Sequence, residues 1–251
     1  MSIANGGKMG SLFQLNHEFV STLGPRLAVL LLCLPIHEFA HGWAAHKLGD
    51  DTAARQGRLT LNPFRHLDIF GSVLILLAGF GWAKPVPVDT MPFKNPRRDM
   101  AFVAAAGPLA NIIIATIMLA VVKIIAYRVD IGWAFQEVGT FQVLMWLGPL
   151  ANATVPEAAV MIVLRDILLI NLVLAAFNLL PIPPLDGSKF FGALMPERYY
   201  FTMMRYERFV FPVLLVLMFT GHLSRAIGWM LHRIFPVIDF ITMPIDLILG
   251  G

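Results

Sequence analysis

Four stretches of the chain stay apolar for long enough to cross a bilayer core, which takes roughly 20 helical residues. They run over about Pro25–Leu48, Met100–Ile125, Glu157–Leu180 and Phe209–Met230. Polar punctuation separates them. Gly49-Asp50-Asp51 stops the first, Lys94-Asn95-Pro96-Arg97-Arg98-Asp99 precedes the second, Pro181-Ile182-Pro183-Pro184 breaks the end of the third, and His232-Arg233 closes the fourth. Between the first two lies Ile69–Phe80, apolar but too short to span, followed by the Gly- and Pro-rich Gly81–Val88. This segment is predicted to turn back on itself as a re-entrant hairpin, which at membrane depth is tolerated only against protein or a water-filled cavity. Arg55–Pro63 alternates polar and apolar residues and ends in Asn62-Pro63, the pattern of a short strand and a turn. Asp130–Thr154, with Trp133 and Trp146, reads as interfacial, and so does Phe235–Leu249, interrupted by Pro236, Asp239, Pro244 and Asp246.

The expected organisation is an N-terminal tail and short amphipathic segment over 1–24, a membrane-embedded core over 25–233 and an interfacial segment over 234–251. The fold class is all-α and polytopic, with about four to five transmembrane helices and a re-entrant or β-hairpin element. Composition agrees with this reading: 57% of residues are hydrophobic and only 14% charged, outside the range of an ordinary soluble domain. The net charge of +3 comes from basic residues in short loops, with no basic patch interleaved with aromatics, so a nucleic-acid partner is excluded. A single cysteine, Cys33, rules out a disulfide framework.

The chemistry concentrates in the first span, in Ile36-His37-Glu38-Phe39-Ala40-His41. On a helix, His37 and His41 share one face, so both imidazoles can reach one Zn²⁺ while Glu38 stands beside the open coordination position. A charged side chain at bilayer depth costs about 2.5–3.5 kcal/mol on insertion scales, and a metal is the economical reason for three ionisable groups so close together. Pro35 loosens the helix just before the first histidine. His46 lies five residues past His41, turned about 140° around the helix, and is left out of the site. His66 orders its loop.

Lys47, Arg55, Arg58 and Arg65 follow the first span, Lys84, Lys94, Arg97 and Arg98 the hairpin, and Arg198, Arg205 and Arg208 the third span. Placing all three loops in the cytoplasm obeys the positive-inside rule and returns the hairpin to the side it entered. The metal then lies inside the membrane, nearer the cytoplasm. Asp186, presented from the proline-broken segment after the third span, reaches a compatible depth and supplies the third ligand.

HEFAH in a membrane helix, the hairpin after Asn62-Pro63, the Gly107-Pro108 to Asn111 pattern and Asn178 through Pro181 to Leu185-Asp186-Gly187 resemble the site-2 protease family of intramembrane zinc metalloproteases. The likeness covers about residues 25–190. It implies one Zn²⁺ held by His37, His41 and Asp186, Glu38 as catalytic base and Asn178 near the substrate. It further implies a substrate that is a single-span membrane protein, such as an anti-sigma factor or another membrane-tethered regulator, cleaved in the inner membrane of a prokaryotic cell. No PDZ insertion fits between the motifs, as in the compact bacterial and archaeal type. Asn178 could hold the extended substrate, stabilise the oxyanion, or satisfy backbone broken by the prolines. Two rival classes stay open: a membrane metal transporter or sensor, and an inactive scaffold of the same fold.

Overall fold

The computed structural model describes residues 23–147, 156–196 and 207–250. Residues 1–22 of the tail and amphipathic segment expected over 1–24, the end of the mixed segment (148–154) and most of the polar loop (197–206) lie outside the described residues. Helix α1 runs over Leu23–Lys47. Because Pro35 brings no N–H, the turn before it widens into a π-turn over Val29–Cys33, with the Leu34 amide bonded back to the Val29 carbonyl. This is the loosening expected ahead of His37.

The strand expected at Arg55–Pro63 does not form. A short helix α2 occupies Thr52–Arg55 and a 3₁₀ turn Pro63–Arg65, with the Asn62 side chain accepting from the Phe64 amide at 3.1 Å. A strand needs a neighbour that both donates and accepts. The adjacent extended segment carries Pro85 and Pro87, which cannot donate. Among the described residues the β structure is a single bridge, Leu67 to Ala83.

The short apolar segment does double back, but its outgoing leg is helical: α3, Ile69–Ala78, capped by Asp68 at one end and ended by Gly79 in the left-handed region (φ 78°). The return leg lies backbone against backbone on the first turn of α3. A Cβ at Gly71 would strike the Trp82 carbonyl and one at Gly81 the Gly71 carbonyl, so glycine is required at both. Ile69, Phe70 and Leu77 stay exposed on the outer face of α3, and Arg26 of α1 donates to the carbonyls of Leu76 and Leu77.

Helix α4, Pro96–Arg128, is the central post and packs against α1, the third long helix and the C-terminal helix. After the short α5 (Trp133–Glu137) and α6 (Thr140–Trp146), α7 runs over Pro156–Asn178. The proline-rich loop then leads into α8, Asp186–Gly192. The apolar core joins α4, α5, α6, α7 and the last helix around Leu119, Val122, Leu144, Leu168 and Ile238.

The C-terminal region departs from expectation. Instead of a span over Phe209–Met230 and an interfacial tail, α9 covers Glu207–Phe219, Gly221 in the left-handed region (φ 74°) breaks it, and α10 runs unbroken through Pro236 and Pro244 over His222–Leu249. Docking onto α4 explains the continuity: fully buried Lys123 bonds Asp239 at 2.9 Å and Asp246 at 2.6 Å, two carboxylates on one face of α10. Three helices among the described residues are long and apolar enough to cross a membrane, or four if α9 and α10 together make one bent span, against the four to five expected.

Candidate metal centre

The spacing of His37 and His41 places both rings on the buried face of α1, with centroids 4.6 Å apart and planes nearly perpendicular. Asp186 comes to them at the first residue of α8. Its Oδ2 lies 3.1 Å from each Nε2, and the two Nε2 atoms lie 3.0 Å apart. Two zinc ligands bonded at 2.0–2.1 Å with tetrahedral angles stand about 3.3 Å apart, so the group matches the size of a zinc site. His41 donates from Nδ1 to the Val103 carbonyl at 2.7 Å, which leaves the Nε2 lone pair facing the other two ligand atoms.

The surroundings are shaped to the same end. A Cβ on Gly107 of α4 would stand 2.5 Å from His41 Nε2 and 2.6 Å from His37 Cε1, so only glycine leaves the space open. In the sequence, the small-residue run Ala104–Gly107 is the signal for such a close approach. At Gly187 a Cβ would meet the carbonyls of Leu179 and Leu180, so the residue after Asp186 must be glycine for α8 to close against the end of α7. The donor set, the ligand spacing and the cradle at Gly107 fit Zn²⁺.

Glu38 is half-buried, and its Oε2 accepts from the Val86 amide of the hairpin's return leg at 2.9 Å. That backbone partner is invisible to any reading of side chains. Asn178 is half-buried and donates to the Leu174 carbonyl at 3.0 Å, one turn back in its own helix. The backbone broken by the prolines is closed by its own amides, Leu180 to Phe177 and Leu185 to Ile182, so Asn178 does not serve it. His46 is exposed and pairs with Asp51, while His66 is buried and bonds the Thr60 carbonyl at 2.7 Å. Just past α1, Asp50 accepts from the amides of Thr52 and Asp89, both at 2.8 Å, and ties the hairpin's far end to α1. Burial alone would raise its carboxyl, but hydrogen bonds from Thr52 and the Asp89 amide, with the Arg55 charge, hold it below the usual carboxylate range.

A long apolar helix bearing two histidines and a glutamate, closed by a distant aspartate, defines a membrane-embedded metallopeptidase core. Residues 25–221 match the family model of peptidase family M50. The chain belongs to this family, the site-2 proteases, and is a multi-pass membrane protein. It is 42% identical over 202 residues (79% of this chain, 82% of the relative) to YwhC of Bacillus subtilis (strain 168), named as a candidate zinc metalloprotease. It is 28% identical over 233 residues (90% of this chain, 77% of the relative) to Rip2 of Mycolicibacterium smegmatis, which carries the same description. No solved structure matches the chain.

Proposed function

We propose that the protein is an intramembrane zinc endopeptidase that hydrolyses a peptide bond within or near the transmembrane segment of a single-span membrane protein, such as an anti-sigma factor or another membrane-tethered regulator. The observation that carries this reading is the convergence of Asp186 on His37 and His41, which with Glu38 lie in a helix otherwise apolar enough to span. His37, His41 and Asp186 would hold one Zn²⁺ per chain, which when bound would supply Lewis-acid activation of the scissile carbonyl and of water. Glu38 takes a proton from the attacking water and returns it to the leaving amine. The basic residues of the loops support a site nearer the cytoplasmic face of a prokaryotic inner membrane. A substrate helix must unwind locally before its carbonyl is accessible. Asn178, half-buried at the end of α7, is the side chain assigned to contact the unwound stretch or the oxyanion.

The test is cleavage of single-span substrates by protein purified in detergent, with zinc quantified and Glu38→Gln as control. Cleavage by wild type alone, with about one zinc in each, supports the reading. Equal cleavage by both removes Glu38 as base, and protein that holds no zinc breaks the proposal at its first step.

A further inference from the structure

One buried cation outside the metal group is aimed at backbone. Arg58, only 7% exposed, donates from Nη2 to the carbonyls of Lys84 at 2.7 Å and Pro85 at 3.2 Å. The Pro85 carbonyl belongs to the same peptide unit as the Val86 N–H, and that N–H donates to Glu38 Oε2 at 2.9 Å. A hydrogen bond to one end of a peptide group polarises the other end, so the guanidinium strengthens the amide that meets the carboxylate. Pro85 and Pro87 carry no N–H, which makes Val86 the sole donor from 85 to 87. Its position is fixed from two further sides. The Lys84 amide bonds the His66 carbonyl at 2.8 Å. The Val86 side chain lies against Gly42, one turn past Glu38, where a Cβ would stand 3.2 Å from Val86 Cγ1.

We propose that Arg58 is a positioning residue for Glu38. By gripping the Lys84 and Pro85 carbonyls it keeps the Val86 amide on Oε2, so that Oε1 is the oxygen presented to the attacking water. A glutamate's terminal torsion is broad and nearly two-fold, and without this pin the carboxylate samples orientations in which neither oxygen is aligned. The inference rests on the protease reading, but the clamp itself can be observed without activity.

The experiment compares wild type, Arg58→Ala, Arg58→Lys and Gly42→Ala in detergent. It measures zinc content, kcat and KM on a single-span substrate, and hydrogen exchange at the Val86 amide in ¹⁵N-valine-labelled protein. Arg58→Ala is expected to keep zinc and KM, lower kcat about ten- to hundredfold through misplacement of the base, and expose the Val86 amide to exchange. Arg58→Lys should restore part of kcat, since an ammonium can still reach one of the carbonyls. Gly42→Ala, whose methyl presses on the Val86 side chain, should lower kcat with zinc retained. Unchanged kcat in Arg58→Ala overturns the proposal, and so does a loss of zinc in parallel with activity, which would make Arg58 a scaffold residue. If wild type cleaves nothing, the protease reading and the catalytic role fall together, while Val86 protection that depends on Arg58 still establishes the clamp.

Discussion

Among the described residues, two clusters of ionisable groups gather around buried side chains, and they differ in how their charges are met. At the far end of α4 the Lys123 ammonium donates to Asp239 and Asp246, Thr140 adds a bond to Asp239 at 2.7 Å, and Tyr127 adds one to Asp246 at 3.2 Å. Donors meet acceptors, and the cluster is complete in itself. At His37, His41 and Asp186 the facing atoms are two imidazole nitrogens and a carboxylate oxygen at 3.0–3.1 Å. Such lone pairs repel unless a cation or proton lies among them. Burial and charge are common to both groups, so neither distinguishes a site; convergence of acceptors does. A cluster whose cation sits between its carboxylates fastens α10 to α4, whereas two imidazole nitrogens and a carboxylate oxygen gathered around one point fit a metal.

The comparison breaks most sharply at Glu38. Glu38→Gln should lower cleavage by about 10²–10⁴-fold, the range for loss of a general base, with zinc retained. Asp186→Ala should instead lose zinc on dialysis against a chelator, and unchanged zinc content would remove Asp186 from the ligands. At the other cluster, Lys123→Met leaves two carboxylates without their cation and should destabilise the protein in detergent unfolding by less than the roughly 3–5 kcal/mol of a fully buried pair, because Asp239 is partly exposed, without altering the zinc held by the folded fraction. Adding Asp239→Asn and Asp246→Asn should recover much of that loss. Metal sensitivity of the Lys123 variants would collapse the distinction. A smaller effect is expected for Gly107→Ala: the new methyl displaces the imidazoles, and zinc affinity should fall about tenfold or more, measured by competition with a chromophoric chelator.

The smallest effect concerns Asp50. Its folded pKa lies below the unfolded value, so its contribution is fully present above about pH 4 and disappears as pH falls through the folded value. The stability margin of wild type over Asp50→Asn should therefore be constant at neutral pH and shrink in acid, as read from unfolding midpoints across a pH series. A margin independent of pH would show that the carboxylate's charge is not what ties the hairpin to α1.

Much of the architecture was legible because its signals are local. A period of 3.6 residues puts His37 and His41 on one face, Pro35 removes a defined hydrogen bond, and the prolines after Asn178 end a helix by a rule that needs no distant partner. The misplaced elements are those where a distant partner decided. The pattern at Arg55–Pro63 asks for a neighbouring strand that Pro85 and Pro87 prevent. Pro236 and Pro244 would end a solitary helix, yet α10 continues because Lys123 anchors it from 116 and 123 residues away.

The metal centre divides along the same line. By itself the sequence determined the paired histidines, the glutamate between them and the apolar helix that makes them expensive, since all of these follow from helical geometry and solvation within one segment. The sequence offered Asp186, 149 residues beyond His37, as their partner by depth and by resemblance, and the tertiary structure brings it to them; only the tertiary structure decided that Gly107 leaves room for an ion and that Glu38 is held by the Val86 amide under the grip of Arg58. Those pairings depend on how helices cross and on backbone groups, and a peptide N–H carries no residue identity for a sequence to display.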